Sequence, residues 1–182
     1  MRCCSRPSPR NDAVAPRRRF VAALLILAGI AGPAPSSHAQ AAAPLAVADF
    51  DFRDTSGEPR DQTTEHAARL KLFDAALREE LARHARIRPL ALACRVEPCS
   101  ARNAGLEAVL AQAKAAQAHF LLIGEFHKIS TLIGALKLAV YDLGDGRVTC
   151  DRSLSYRGDT DEAFLRAARF AAREIAERCI PR

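Results

Sequence analysis

Beyond residue 31, this 182-residue chain holds no apolar stretch near the ~20 residues that a helix needs to cross a bilayer. That excludes a helical membrane anchor from the body of the sequence. Glycine is sparse, nine residues in all, and never gathers into G-x-G-x-x-G or G-K-[ST] after a strand-like segment. Gly124, Gly134, Gly144 and Gly146 therefore form no phosphate cradle. No G-x-S-x-G occurs, so no serine sits on a nucleophile elbow. The cysteines never fall as C-x-x-C, and His84 stands ten residues before Cys94 with no second histidine at ligand spacing. A redox pair opening a helix and a zinc site both lose their usual support, and no metal or other cofactor is expected. Internal repeats and low-complexity tracts are missing after Pro44.

Net charge is also scarce once the amino terminus is set aside. Residues 1–39 carry six Arg and one Asp, and the rest carry 21 Lys and Arg against 20 Asp and Glu. The formal +6 of the full sequence is thus no nucleic-acid footprint. The later arginines interleave with acids, as on a solvated surface, and no nucleic-acid partner is expected. What the amino terminus does contain is Arg17-Arg18-Arg19, an apolar run over 20–31, and Ser37-His38-Ala39. This order of basic, apolar and small residues predicts a signal peptide over 1–39, cut after Ala39. An uncleaved anchor is the alternative, for which the apolar run is short. Arg17-Arg18-Arg19-Phe20-Val21 also resembles a twin-arginine signal, so two export routes stay open. The expected location is the periplasm. Residues 40–44 read as a short tail, and 45–182 as a single domain large enough for its own core.

Residues 45–52 (LAVADFDF) alternate as a strand. Leu45, Val47, Asp49 and Asp51 share one face, and Ala46, Ala48, Phe50 and Phe52 the other. Over 63–84 the stripe Leu70, Phe73, Leu77, Leu81 predicts a helix, with Thr63 or Thr64 as its cap and Glu65 in the first turn. Residues 87–93 form a short strand that Pro89 pushes toward an edge. A second helix follows over 104–117, with Leu106, Val109, Leu110 and Ala113 on one side. The most apolar strand, 119–128, is expected at the centre of the sheet. Strands over 131–143 and 147–156 flank the turn Gly144-Asp145-Gly146. A last helix over 161–179, capped by Thr160, buries Phe164, Ala168, Ala171, Ile175 and Cys179. The order βαβαβββα predicts an α/β fold: one mixed five-stranded sheet, its first three strands parallel and its last three a meander, covered by three helices.

Several of these segments resemble a bacterial family known only as domain of unknown function 2380. The resemblance rests on Asp49-Phe50-Asp51-Phe52, the Cys94–Cys99 pair, residues 118–130 ending in Lys128-Ile129-Ser130, and Arg157-Gly158-Asp159-Thr160-Asp161-Glu162. It implies an exported α/β domain broadly similar to amino-terminal domains of envelope-assembly proteins. It implies no reaction and no catalytic residues.

Cys3 and Cys4 fall within the leader, which leaves Cys94, Cys99, Cys150 and Cys179. An even number in an oxidising compartment points to disulfides, with three possible pairings. Cys94 and Cys99 share a short Pro-containing loop that can bring the sulfurs together. Cys150 lies near the start of the last strand, and Cys179 ends the helix that returns along it. Cys94–Cys99 and Cys150–Cys179 are therefore the favoured pairs, the alternative being a buried free thiol at Cys150 or Cys179.

Asp49 and Asp51 share a face of the first strand, and Glu125 and His127 share a face of the third. If the two strands are neighbours, these four side chains converge at the carboxyl ends of the strands, where open α/β sheets bind ligands. The plainer reading is a pair of solvated strand ends, with Arg53 and Lys128 as partners. The Arg-Gly-Asp tripeptide at 157–159 is near chance as an adhesion signal. It reads better as a tight turn in which Asp159 and Thr160 cap the last helix and Arg157 pairs with Asp159 or Asp161. The expected function is a non-enzymatic domain that binds an envelope protein or a small ligand. The alternative is an enzyme or metal-handling protein built on Asp49, Asp51, Glu125 and His127.

Overall fold

A computed structural model describes residues 41–181 of the chain. The expected leader and its cleavage site lie outside the described residues. Six strands and three helices follow in order: β1 (Ala43–Val47), β2 (Asp51–Asp54), α1 (Thr63–Ala82), β3 (Ile87–Ala91), α2 (Leu106–Ala115), β4 (Phe120–Lys128), β5 (Ile133–Asp142), β6 (Val148–Arg157) and α3 (Asp161–Glu174). π-helical turns at Ala101–Gly105 and Ile175–Cys179 open α2 and extend α3. The strand order is β3-β1-β4-β5-β6, with β2 also paired to β4. β1 runs parallel to β3 and β4, β2 parallel to β4, and β4, β5 and β6 form an antiparallel meander. This is the predicted mixed α/β sheet, with β4 at its centre. β3 forms the edge, where Pro89 costs no ladder hydrogen bond. Ala43 and Pro44, expected in the tail, already belong to β1 and pair with Ile87 and Arg88.

The predicted single strand over 45–52 is two strands, and the difference is one inserted residue. Val47 pairs with Leu122 and Asp51 with Glu125. Ala48, Asp49 and Phe50 thus stand opposite only Ile123 and Gly124 on β4. The inserted residue makes a bulge in a parallel pair. The Ala48 amide still donates to Leu122 O, whereas the Asp49 amide turns away to Cys99 O at 3.1 Å. Past the bulge the faces exchange. Phe50 joins Leu45 and Val47 in one core, while Ala46 and Ala48 lie in the other. Gly124 makes room for this, because a Cβ there would overlap the Phe50 ring.

Two helices cover one face of the sheet and one covers the other. α1 and α3 bury Phe73, Leu77, Leu81, Phe164, Ala168 and Ala171 against Leu45, Leu122, Phe126 and Leu138. Alanines along the inner side of α3 let it lie close to its neighbours. At the centre, the Phe126 ring meets Phe73 at 4.7 Å, Phe164 at 4.5 Å and Tyr156 at 5.2 Å. α2 seals the opposite face only over β1 and part of β4, with Val109 and Ala113 on Ala46, Ala48 and Leu121. Beyond α2, that face of β4, β5 and β6 stays open and polar.

Both favoured disulfides are present, Cys94–Cys99 and Cys150–Cys179. The first closes the loop that leads into α2, and the second ties β6 to the end of the last helix. The Thr160 cap is as predicted, accepting from the Ala163 amide at 3.3 Å. The start of α1 differs. Gln62 holds the cap position without a side-chain bond, and Asp61 accepts from the Thr63 amide at 2.9 Å and from the Thr63 hydroxyl at 2.6 Å.

Candidate functional site

β2 and β4 are neighbours, and their register sets Asp51 opposite Glu125 and Arg53 opposite His127. Three of the four anticipated side chains therefore gather at the carboxyl ends of these strands. Two arginines bridge them. Arg102 pairs with Glu125 through Nη2 and donates its backbone amide to Asp51 Oδ2 at 3.1 Å. Arg53 Nε lies 3.3 Å from Glu125 Oε1, and its Nη2 donates to His127 Nδ1 at 3.1 Å. A guanidinium can only donate, so His127 Nδ1 accepts and the ring proton sits on Nε2. Nε2 in turn reaches Thr55 Oγ1 at 2.7 Å. Ser100 completes the group by donating to Asp51 Oδ1 at 2.6 Å. A shallow cavity of about 360 Å³ beside them is lined by Asp51, Arg102, Glu125, Lys137 and Asp151.

Asp49 stands apart from the other three because the bulge turns it. Its Oδ1 accepts from Arg78 at 3.1 Å, and its Oδ2 from the Cys99 amide at 2.8 Å. The Cys94–Cys99 loop is thus pinned to the sheet through the carboxylate of the bulge.

The most heavily charged cluster was not anticipated. Lys128 is only 2% exposed and projects to the core side of β4 with Phe120, Leu122 and Phe126. Its Nζ reaches Asp159 at 2.8 Å, Glu58 at 2.6 Å and Gln62 at 2.5 Å. Asp159 also takes Arg69 at 2.7 Å and His66 Nε2 at 2.9 Å, and the His66 ring stacks on Phe52 with centroids 4.1 Å apart. Burial alone would depress the Lys128 ammonium, but its hydrogen bonds to Asp159 and Glu58 and the nearby charges hold its pKa above the ordinary lysine value. Burial likewise pushes Asp159 upward, yet hydrogen bonds from Lys128 and His66 bring it below the usual carboxylate range. Satisfied in this way, the buried charges lock the loop over 55–62, α1 and the start of α3 onto the end of β4. The anticipated role of Arg157 as partner to Asp159 or Asp161 falls to Arg69, which bonds both.

A sequence profile described as "Protein of unknown function (DUF2380)" matches residues 43–175. The chain belongs to this family. The match runs from the first residue of β1 to the end of α3. It takes in the two DUF2380 segments that supply Lys128 and Asp159, partners in the buried cluster. No curated protein sequence matches the chain. Among solved structures, a PelC dodecamer from Paraburkholderia phytofirmans resembles it with a TM-score of 0.51 at 9% identity, over 79% of this chain and 91% of that one. E. coli LpoB gives 0.44 at 13% identity, over 85% and 86%. Lipoprotein GNA1162 from Neisseria meningitidis gives 0.42 at 12%, over 74% and 98%. At 9% identity the likeness to PelC is one of fold alone.

The DUF2380 cluster had a signal in the sequence. Lys128 falls on the same alternate positions as Phe120, Leu122 and Phe126, which makes it core-facing by parity. A lysine there requires a buried acid, and the turn before α3 supplies one in Asp159.

Proposed function

We propose that this DUF2380 protein is exported to the periplasm and acts in the cell envelope by binding another molecule, not by transforming one. The observation that carries this reading is the state of the four anticipated side chains. Asp49, Asp51, Glu125 and His127 each already hold partners within the chain, so they serve as struts between elements. The two disulfides suit an oxidising compartment, as does the expected leader. Surface for a partner lies on the open face of β5 and β6, at Lys137, Asp151 and Ser153. It continues at the tip between β4 and β5, where Leu132 is 70% exposed with Ile129 and Ile133 beside it.

The test is the full chain expressed with its leader and carrying a photo-cross-linker at Leu132 or Ser153. The expected result is a processed protein beginning at Gln40 in the periplasmic fraction, with a discrete adduct at one of the two positions. Adducts between copies of the chain would make the partner the protein itself, and adducts to an envelope protein a different one. Retention of Met1 in the cytoplasm refutes the address, and no discrete adduct at either position refutes the binding role. A small-ligand enzyme using Asp51, Glu125 and His127 is the second reading, favoured by the adjacency of β2 and β4. It requires a turnover that Glu125→Gln removes.

A further inference from the structure

We propose that the cavity between α1, the bulge and the Cys94–Cys99 loop binds a small organic cation, an amine carried on a compact apolar body. This goes beyond the partner reading and does not rest on it. The cavity measures about 630 Å³, within the ~300–1,000 Å³ of small-molecule sites. Phe50, Leu70 and Pro98 give it apolar walls, and Asp49, Asp74 and Glu97 give it carboxyl groups.

Asp74 decides the chemistry. It lies on the apolar stripe of α1, four residues after Leu70 and three before Leu77. The residue is 7% exposed, it lines the cavity, and its Oδ1 has no hydrogen-bond partner. Leaving such an atom unpaired costs ~1–3 kcal/mol, which a ligand donor would relieve. Asp49 cannot play this part, because Arg78 and the Cys99 amide occupy both of its oxygens. Arg78 donates from Nη2 to both Asp49 and Val47 O, and its buried Nε is without a partner, so its charge is matched by Asp49 and no hydrogen bond joins it to Asp74. The groups facing Asp74 are thus Arg78 and Lys71 on α1, Asp49 on the bulge and Glu97 on the disulfide loop. With Arg78 matched by Asp49, the exposed pair Lys71 and Glu97 leaves Asp74 as the uncompensated acid. A cation with an apolar body fits that balance, and an anion does not.

The same setting makes binding pH-dependent. Burial pushes Asp74 up to about 7, against the pull of Arg78 and with the help of Asp49. An ammonium binds the ionised form, so its affinity should rise about tenfold between pH 6 and pH 8 as that form fills.

The probe is n-hexylamine, titrated by calorimetry into the disulfide-bonded protein, with n-hexanol and hexanoate as controls. One saturable site for the amine, the tenfold pH effect and loss of binding in Asp74→Asn are the expected results. Equal binding of hexanol, a flat pH profile, no saturable site, or full binding in Asp74→Asn would each overturn the proposal. Ala67→Trp keeps the question decidable if Asp74→Asn does not fold. Ala67 is exposed and lines the cavity, so the bulky ring should block the amine while leaving the melting temperature unchanged. Amine binding that survives this block refutes the site.

Discussion

Asp74→Asn should raise the stability of the protein, relative to its parent, by about 2.5 kcal/mol between pH 5 and pH 8. The buried carboxyl is pushed from 3.8 up to about 7 in the folded state, so over that interval the folded chain holds a proton that the unfolded chain releases. The neutral acid's contribution is whole below the unfolded value near ~3.9 and is lost as pH rises through 7. At pH 5 the loss has begun only through the unfolded chain, and by pH 8 it is nearly complete. Near 1.36 kcal/mol for each pH step, about two steps separate the two conditions. Asparagine keeps the shape and cannot titrate. Subtracting one variant from the other removes the groups that both share. The assay is urea unfolding at pH 5, 6, 7 and 8 with both disulfides intact. A gap between variant and parent that stays constant within ~0.5 kcal/mol across this range would refute the assignment of a raised, buried acid.

Removing the Cys150–Cys179 disulfide with paired serines should cost about 3.5 kcal/mol, because it closes the longer loop, whereas removing Cys94–Cys99 should cost about 2 kcal/mol; equal shifts in urea midpoint would contradict this. Lys128→Met and Asp159→Asn should each destabilise by about 1.5–3 kcal/mol, since each removes charge-assisted hydrogen bonds from a buried network whose other members keep partners. The double variant should lose clearly less than their sum, and additivity in a double-mutant cycle would show that the pair is not coupled. Gly124→Ala should cost about 2 kcal/mol, since the new methyl group meets the Phe50 ring; an unchanged melting temperature would mean that the ring moves aside freely.

The layers of the fold could be read from periodicity because burial acts on faces, and faces repeat. The stripe Leu70, Phe73, Leu77, Leu81 marked α1, and the apolar run over 119–128 marked the central strand. The bulge at Ala48–Phe50 had no such mark. Alternation over 45–52 is equally good with or without an inserted residue, and the choice is made by Gly124 on another strand. Asp49 and Asp51 were placed on one face for that reason, and the bulge parts them. The ion pairs were harder still. Arg53 and Arg102 flank Glu125 from different elements, so the neutralisation of the candidate acids depends on contacts across 23 residues or more of chain. Lys128 and Asp74 could have been found, because each is a charged group on an otherwise apolar repeat.

The link between Cys150 and Cys179 also routes mechanical load. A pull applied beyond Cys179 bypasses the helix before it and enters the sheet at Cys150, on the strand bonded to β5. Residues 151–178 form a closed covalent ring that such a pull leaves slack. The β6 residues left on the load path are paired to β5 through Val148 with Tyr141 and Cys150 with Val140, so these pairs meet the force first, while α3, inside the ring, can stay folded.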